Sequence, residues 1–349
     1  MEDKLFFYDL DRDQLKEILL SAGEPAYRSE QVWKGVYQNL AKTPDEITAL
    51  PKSLREKLTA EINFQRLNPV ERFASSDGET VKTLFTLPDG ARIETVLMHY
   101  DERETLCISS QAGCAMGCVF CATGQMGLKR SLTSGEIVEQ VMHYARELEA
   151  KGRKVTNIVV MGMGEPFHNY DAVMAAINRL NDPTGMNMGA RRFTISTVGI
   201  IPGLKKFTAQ KSQVNLAVSL HAANDSLRNR LIPANRKYPL AELIKASCEY
   251  VETTGRRLTF EWALISGVND TAHDALELAA LVKGLNCHVN LIPLNPTAQY
   301  PGAPTTSARA QEFKKILDSA SVACTIRLRR GIDIQAGCGQ LAAMHVDGS

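Results

Sequence analysis

The sequence lacks a strong net charge, long apolar runs and a recognisable targeting segment. Its 349 residues contain 40 Lys and Arg against 39 Asp and Glu, which gives a formal net charge of +1. A nucleic-acid partner would therefore have to be held by local basic patches rather than by the field of the whole molecule. No apolar run approaches the ~20 residues that a membrane helix needs. The acidic start MEDKLFFYDLDRD does not have the layout of a signal peptide. We expect a cytoplasmic protein with no membrane segment.

Cysteine is also sparse, and most of it is scattered. The eight cysteines lie at positions 107, 114, 118, 121, 248, 287, 324 and 338. A disulfide scaffold is not expected in a long chain without an export signal. Cys248, Cys287 and Cys324 lie in helical or strand-like apolar patterns, so we interpret them as small buried core side chains. The cysteines at 114, 118 and 121 are too closely spaced for the same interpretation.

Hydrophobic periodicity divides the chain into four regions. Residues 1–64 carry three short amphipathic helical patterns, in which Trp33 and Tyr37 are interpreted as core. Residues 65–103 indicate strands, two of which flank the turn at 88–90. Strands and helices alternate over 104–330, which predicts an α/β fold with a parallel sheet, either open or rolled into a barrel. Residues 331–349 form a tail. Strands are predicted at 104–109, 155–161, 192–198, 214–220, 257–264, 287–292 and 323–329, and helices at 134–149, 170–181, 200–209, 240–253, 271–283 and 306–319.

The close cysteines lie on a glycine-containing loop that follows the first strand of the alternating region. Cys114, Cys118 and Cys121 have spacings of four and three residues. Thiolates bind soft metals and iron–sulfur clusters. A zinc site or a sealed electron-transfer cluster needs a fourth close ligand, and apart from Cys107 no further cysteine is near in sequence. Three thiolates on a four-iron cluster leave one iron open, and an open metal position is where chemistry occurs.

This CxxxCxxC loop resembles that of the radical S-adenosylmethionine (SAM) superfamily. The next strand ends in Met161-Gly-Met-Gly-Glu165, which looks like the superfamily's glycine–glutamate motif for the amino group of the cofactor's methionine part. Glycine lets the backbone approach a ligand closely, and a carboxylate pairs with an ammonium group. The resemblance implies a partial (β/α)6 barrel at 104–330, with a small N-terminal helical domain at 1–64 and a short β extension at 65–103.

Further blocks resemble the RNA adenine methyltransferases of the RlmN/Cfr family, and RlmN more than Cfr. They are residues 94–96 (ETV), 105–114 (TLCISSQAGC), 219–222 (SLHA), 289–296 (VNLIPLNP) and 331–341 (GIDIQAGCGQL). This resemblance implies methylation of carbon 2 of adenosine 2503 in 23S rRNA, at the peptidyl-transferase centre, and of adenosine 37 in tRNA. The N-terminal region matches less specifically.

The resemblance also assigns catalytic roles to residues outside the cysteine loop. Cys338 would take a methyl group from one SAM molecule. The cluster on Cys114, Cys118 and Cys121 would reduce a second SAM to a 5′-deoxyadenosyl radical, which activates that methyl for addition to the base. Glu94 would remove the ring proton, and Cys107 would resolve the adduct by forming a transient disulfide with Cys338. The tail around Cys338 would have to fold back over the barrel beside the first strand. Without the resemblance, Cys107 would be interpreted as a core thiol and Glu94 as an exposed strand carboxylate.

The cofactors implied by the resemblance are a [4Fe–4S] cluster and two SAM molecules per turnover. The residues that would contact SAM lie at strand ends: Gly164, Glu165, Ser196, Ser219, Leu220, His221 and Asn295. Taken alone, His221 would be interpreted as a structural histidine. The implied partners are 23S rRNA, tRNA and an external electron donor such as flavodoxin or ferredoxin, and we expect a monomer.

RNA binding would depend on clusters of basic residues, of which the group directly before the tail is favoured because it precedes Cys338. The candidates are Lys129-Arg130, Arg191-Arg192, Lys205-Lys206, Arg228 with Arg230, Arg236-Lys237, and Arg327 with Arg329 and Arg330. Two alternatives stay open at the level of sequence. One is a Cfr-like enzyme that methylates carbon 8, and the other is a non-catalytic iron–sulfur or zinc protein that only binds RNA.

Overall fold

The computed structural model describes residues 4–343, so residues 344–349 of the predicted tail lie outside the described part. The N-terminal region contains helices α1 (Arg12–Ser21), α2 (Tyr27–Tyr37) and α3 (Lys52–Glu61), and its two short strands β1 (Leu5–Phe6) and β2 (Ile62–Asn63) pair in parallel. Asp11 begins α1 with a capping box that includes Gln14. Trp33 and Tyr37 are buried in the core, as predicted.

A single ten-stranded sheet forms the body of the molecule. Strands β3 (Asn68–Ala74), β4 (Thr80–Thr86), β5 (Arg92–Tyr100) and β6 (Arg103–Cys107) pair antiparallel in sequence order. From β6 onward the sheet is parallel through β9 (Asn157–Val160), β10 (Phe193–Thr197), β11 (Asn215–Ser219), β12 (Leu258–Leu264), β13 (Cys287–Pro293) and β14 (Cys324–Ile326). The β extension and the parallel strands therefore share one sheet.

Six strand–helix units precede β14, which confirms the predicted partial (β/α)6 barrel. The helices that follow these strands are α5 (Ser134–Glu149), α6 (Tyr170–Asn181), α7 (Ile201–Ala209), α8 (Asp225–Leu231) with α9 (Leu240–Thr254), α10 (Ala272–Leu281) and α11 (Ser307–Ser319). Capping boxes begin α5 at Thr133 and α10 at Thr271. Within residues 4–343, β14 and β3 are the two edges of the sheet and do not pair, so the barrel is open on one side.

Several short elements were missed by the sequence analysis. Strands β7 (Gln111–Gly113) and β8 (Leu128–Ser131) pair antiparallel and enclose the cysteine loop together with the four-residue helix α4 (Ala122–Gln125). Helix α8 was also not predicted, because its seven residues are too few for helical periodicity to be evident. No helix among residues 4–343 is both long and apolar enough to cross a membrane.

Candidate active site

The cysteine loop is held in a compact shape by glycines on both of its sides. Gly113 has φ +81°, and a Cβ there would lie 2.0 Å from the carbonyl oxygen of Gly127, so only glycine fits. The Cys114 amide donates to that same carbonyl at 2.9 Å. A Cβ on Gly124 would lie 2.9 Å from the Cys118 nitrogen. The β7–β8 ribbon and α4 therefore close onto the loop that carries the three thiols.

The three thiols fit an iron–sulfur cluster better than they fit a single metal ion. Burial raises the pKa of Cys114 to about 12 and also raises the pKa values of Cys118 and Cys121. The charges of neighbouring thiolates raise the pKa values of Cys114 and Cys118 further, so a cation is needed to hold these groups as thiolates. Within residues 4–343, no three Cys, His, Asp or Glu side chains are close enough to hold one metal ion. In a cluster each thiolate binds a different iron, so wider spacing is required.

Glu165 lies beside this loop and is buried. Its carboxylate accepts hydrogen bonds from the amides of Phe167 and Val198, each at 2.9 Å. Burial raises the pKa of Glu165 to about 6. The preceding Gly164 has φ +106°, and a Cβ there would collide with the side chain of Gln111 at 2.6 Å. The glycine–glutamate turn is therefore fixed against Gln111 of β7, next to the cysteine loop.

The other predicted cofactor residues lie at or near the ends of β10, β11 and β13. Ser196 and Ser219 place their hydroxyls 3.4 Å apart, and Leu220 is fully buried. Nδ1 of His221 accepts a hydrogen bond from the Ala263 amide at 2.8 Å, so the neutral ring carries its proton on Nε2. Burial lowers the pKa of His221 to about 3. The hydrogen bond anchors the ring, in line with the interpretation of His221 as a structural histidine when the sequence is taken alone. A contact between Nε2 and the cofactor stays a prediction.

A cavity of about 1040 Å³ runs through the barrel, and three cysteines from distant parts of the chain line it: Cys107, Cys121 and Cys338. Cys107 is the last residue of β6, opposite Val159 of β9. Burial raises the pKa of Cys107, and the neighbouring Cys338 raises it further. All eight cysteines are free, so Cys107 and Cys338 share the cavity without forming a disulfide.

The C-terminal tail, here residues 331–343, folds back onto the cysteine loop, whereas the sequence analysis expected it beside the first strand. The amide of Ala122 donates to the Gly339 carbonyl at 2.7 Å, and the Thr123 hydroxyl donates to the Leu341 carbonyl at 2.6 Å. These contacts lie directly after Cys121. Cys338 is exposed to the cavity that it lines, and desolvation by the surrounding cavity walls raises the pKa of its thiol to about 11.

Asn295 connects the tail to the end of β13 and has an unused acceptor. Its Nδ2 donates to the Cys338 carbonyl at 3.1 Å, while its Oδ1 is buried without a hydrogen-bond partner in the described structure. A Cβ on Gly337 would lie 2.7 Å from Nδ2, so glycine is needed for this approach. A buried acceptor that lines the cavity is a position for a ligand donor, which fits a cofactor such as SAM.

Glu94 lies outside the residues that line the cavity. Its carboxylate is 2.9 Å from the buried ammonium of Lys82 and accepts hydrogen bonds from the amides of Ala342 and Ala343, at 2.9 and 3.2 Å. Lys82 also donates to the Gln335 carbonyl at 3.2 Å. The buried Lys82–Glu94 pair therefore holds the tail on both sides of Cys338. Without the resemblance, the sequence predicted that Glu94 is an exposed strand carboxylate. That prediction is wrong, because Glu94 is 1% exposed.

Arginines line the cavity at the N-terminal ends of the parallel strands and on the open side of the barrel. We use the name arginine rim for the lining residues Arg103, Arg191, Arg256, Arg257, Arg327, Arg329 and Arg330. The first four lie at or before the N-terminal ends of β6, β10 and β12, and the last three follow β14. Arg330 pairs with Glu79 and stacks on Tyr100. These two contacts hold the chain after β14 across the open side of the barrel. Sequence reasoning missed Arg103, Arg256 and Arg257 because no motif marks them.

Several predicted phosphate contacts are used inside the protein instead. Arg228 is 1% exposed and donates to the carbonyls of Leu220, Val198 and Ser219, so its assignment to RNA is wrong. Arg130 pairs with Asp89 and Glu136, and Lys206 pairs with Asp171. These ion pairs compete with an RNA contact at both positions. The favoured group at 327–330 lines the cavity, whereas Arg130, Lys206 and Arg228 do not.

Comparison with known proteins agrees with this geometry. Residues 108–279 match the profile of the radical SAM superfamily, and residues 7–63 match that of the ribosomal RNA large subunit methyltransferase N-terminal domain. The chain is 48% identical to a probable dual-specificity RNA methyltransferase RlmN of Chloroflexus aurantiacus, over 97% of this chain and 93% of that protein. It is 49% identical to dual-specificity RNA methyltransferase RlmN 1 of Myxococcus xanthus, over 96% and 94%.

A solved structure is similar along nearly the whole chain. The crystal structure of a radical SAM methyltransferase from Sphaerobacter thermophilus superposes with a TM-score of 0.95 at 51% identity, and it covers 97% of this chain and 100% of that one. This family uses a [4Fe–4S] cluster and SAM, the groups that the cysteine loop and the cavity fit. The chain belongs to the RlmN family of radical SAM RNA methyltransferases.

Proposed function

We propose that this enzyme methylates carbon 2 of adenosine in 23S rRNA and tRNA, at positions 2503 and 37, through a methyl group carried on Cys338. The observation that supports this most strongly is the shared cavity of Cys107, Cys121 and Cys338. A thiol in a glycine-flanked tail that is held against the cysteine loop serves no packing purpose. A methyl carrier needs this position, because it must face both the cofactor and the RNA base.

The cluster and SAM, when bound, supply a transferable methyl group and one-electron cleavage of the sulfonium, with two SAM molecules consumed per turnover. Cys114, Cys118 and Cys121 would hold the cluster, and Glu165 with Asn295 would orient SAM through its charged amino group and through the free Asn295 Oδ1. Gly164, Ser196, Ser219, Leu220 and His221 complete the proposed SAM contacts. The Glu165 carboxylate is fixed in place before SAM binds, because it accepts hydrogen bonds from two backbone amides.

Cys338 acts as a nucleophile in this proposal, so it must lose its proton before it accepts the methyl group. Burial and the charge of Glu261 raise its pKa, while Arg327 lowers it. Cys107 would later attack the Cys338 sulfur, so that the bond from this sulfur to the methylene carbon breaks. The carbon keeps the electron pair and takes a proton to become the methyl group of the base, and the disulfide that remains is reduced by an external donor. Its raised pKa keeps the Cys107 thiol protonated until that step.

Glu94 is proposed as the proton acceptor for the ring carbon, although its carboxylate contacts the tail backbone in this structure. The Ala342 and Ala343 amides would have to release Glu94 before it could reach a base. Movement of the tail would then both free Glu94 and bring Cys338 to disulfide distance from Cys107, with Cα atoms within about 7 Å.

The RNA would approach from the arginine rim. The cysteine loop and the tail cover the opposite end of the cavity, so the rim is the side on which phosphates meet guanidinium groups. The target adenosine must leave its stack to reach Cys338, as in other enzymes that modify bases. The reductant would be flavodoxin or ferredoxin, and the enzyme is proposed to act as a cytoplasmic monomer.

Mass spectrometry of nucleosides from rRNA and tRNA tests this function directly. Cells that lack the protein should lose 2-methyladenosine from both RNAs, and the wild-type gene should restore it, whereas Cys338→Ala should not. Cys287→Ala is the matched control, because its thiol is buried in the core away from the cavity. Loss of 8-methyladenosine instead would establish the Cfr-like alternative. Unchanged RNA, together with no SAM cleavage by the reduced holoenzyme, would establish a non-catalytic protein.

A further inference from the structure

We propose that Glu261 recognises the target base, with its carboxylate accepting a hydrogen bond from the exocyclic amine of adenine inside the barrel. This inference rests on the proposed function and adds the group that selects the base. Glu261 is the only carboxylate among the described residues that line the cavity, which the seven arginines of the rim also line. A carboxylate in such surroundings supplies a hydrogen-bond acceptor, which arginine side chains cannot provide.

The position of Glu261 follows from the register of the parallel strands. Glu261 of β12 lies opposite Ser219 of β11 and Asn290 of β13, and Asn290 lies opposite Thr325 of β14. Residues two apart on these strands share a face, so Thr259 and Glu261 both line the cavity. Glu261 therefore projects into the interior of the barrel even though the strand as a whole is buried.

One oxygen of Glu261 is engaged, which leaves the other for a ligand. Nδ2 of Asn290 donates to Oε1 at 2.9 Å, and this contact fixes the carboxylate plane. Among residues 4–343, no group donates a hydrogen bond to Oε2. The second hydrogen of the Asn290 amide is also free to donate to a ring nitrogen. A carboxylate acceptor beside an amide donor matches an amine beside a ring nitrogen, which is the pattern on an edge of adenine.

Glu261 and the proposed methyl carrier, Cys338, line the same cavity. The charge of Glu261 raises the pKa of Cys338, and burial raises the pKa of Glu261 itself while Arg327 lowers it. A base bound at Glu261 would thus lie within reach of Cys338. Guanine or hypoxanthine presents a keto oxygen where adenine has its amine, and a carboxylate repels that oxygen. A buried acceptor left without a donor penalises the wrong base strongly.

The test combines base analogues with variants of the holoenzyme. A hairpin RNA carries adenosine, purine riboside or inosine at the target position, and both binding and single-turnover methylation are measured. Purine riboside lacks the amine, so wild type should bind and methylate it about 10- to 100-fold less well than adenosine. Glu261→Ala should lose this preference. Glu312→Ala on α11, an exposed glutamate on the outside of the barrel, should keep it.

A second variant keeps the test valid if Glu261→Ala does not fold. Glu261→Gln retains the shape of the side chain but adds an amide donor, so its affinity for the inosine RNA should rise relative to wild type. A merely structural glutamate would not invert base preference in this way. Equal use of adenosine and purine riboside by wild type, with methylation intact, would overturn this inference alone. Absence of methylation on every RNA would instead overturn the proposed function.

Discussion

The two ends of the barrel cavity are built differently. At the cysteine-loop end, a backbone hydrogen bond from Ala122 and a hydroxyl from Thr123 hold the tail, and Cys114 and Cys118 are buried. At the other end and on the open side, the lining is made of long charged side chains in the arginine rim. Neutral, backbone-mediated contacts suit a radical reaction that must exclude water. Flexible cationic side chains suit a polyanion of variable shape.

Because the two ends differ in this way, substitutions at each end should affect different properties of the enzyme. Changes at the cysteine-loop end should abolish chemistry while leaving RNA affinity intact, and changes at the rim should do the reverse. Glu261 lines the same cavity, and its loss should change which target base is bound and methylated.

The largest expected effect is loss of the cluster. Cys118→Ala should reduce bound iron from about four per chain to a small fraction and abolish SAM cleavage under reducing conditions. The reason is that only two of the three thiolates that hold the cluster remain in the variant. Iron analysis and detection of 5′-deoxyadenosine measure this. Cys287→Ala should retain both, and RNA affinity should not change in either variant. Full iron with normal cleavage in Cys118→Ala would refute the assignment of this loop.

Sequence patterns predicted the cluster loop because three thiols within one short loop have few structural explanations. They also predicted α5, since Thr133 and Glu136 supply a capping box ahead of an apolar face. They did not reveal Glu261, because a single charged residue in the strand Leu258–Leu264 gives no sign of facing a cavity rather than solvent. They likewise could not show that Glu94 contacts the tail, since that contact joins residues 248 positions apart.

An effect of intermediate size is expected at the rim. Replacing Arg327, Arg329 and Arg330 with Ala should weaken RNA binding and flatten its salt dependence, by roughly one unit of log–log slope for each phosphate that the variant no longer neutralises. Titrations over a range of KCl concentrations measure the slope, and SAM cleavage without RNA should persist. The matched control replaces three exposed lysines on the outer helical side, Lys245, Lys283 and Lys315. An equal slope in both triple variants would show that the rim does not contact RNA.

A smaller effect on chemistry is expected from the buried ion pair. Lys82→Met leaves the Glu94 carboxylate without its buried partner and should cost about 3–5 kcal/mol of stability. It also frees the tail at Gln335, so iodoacetamide should alkylate Cys338 several-fold faster than in wild type. Denaturant unfolding and peptide mass spectrometry measure the two effects. Lys205→Met, on an exposed position of α7, is the control. Unchanged alkylation in a folded Lys82→Met protein would show that the pair does not position the tail.

The central claim is that Cys338 carries the methyl group to the base and that Cys107 acts only afterwards. The most direct measurement is a denaturing gel of Cys107→Ala holoenzyme after reaction with substrate RNA, followed by peptide mapping of any retarded band. Without its resolving thiol the adduct cannot collapse, so a covalent RNA–protein species attached at Cys338 should accumulate, and Cys338→Ala in the same background should remove it. Normal turnover of Cys107→Ala with no trapped RNA would contradict the account.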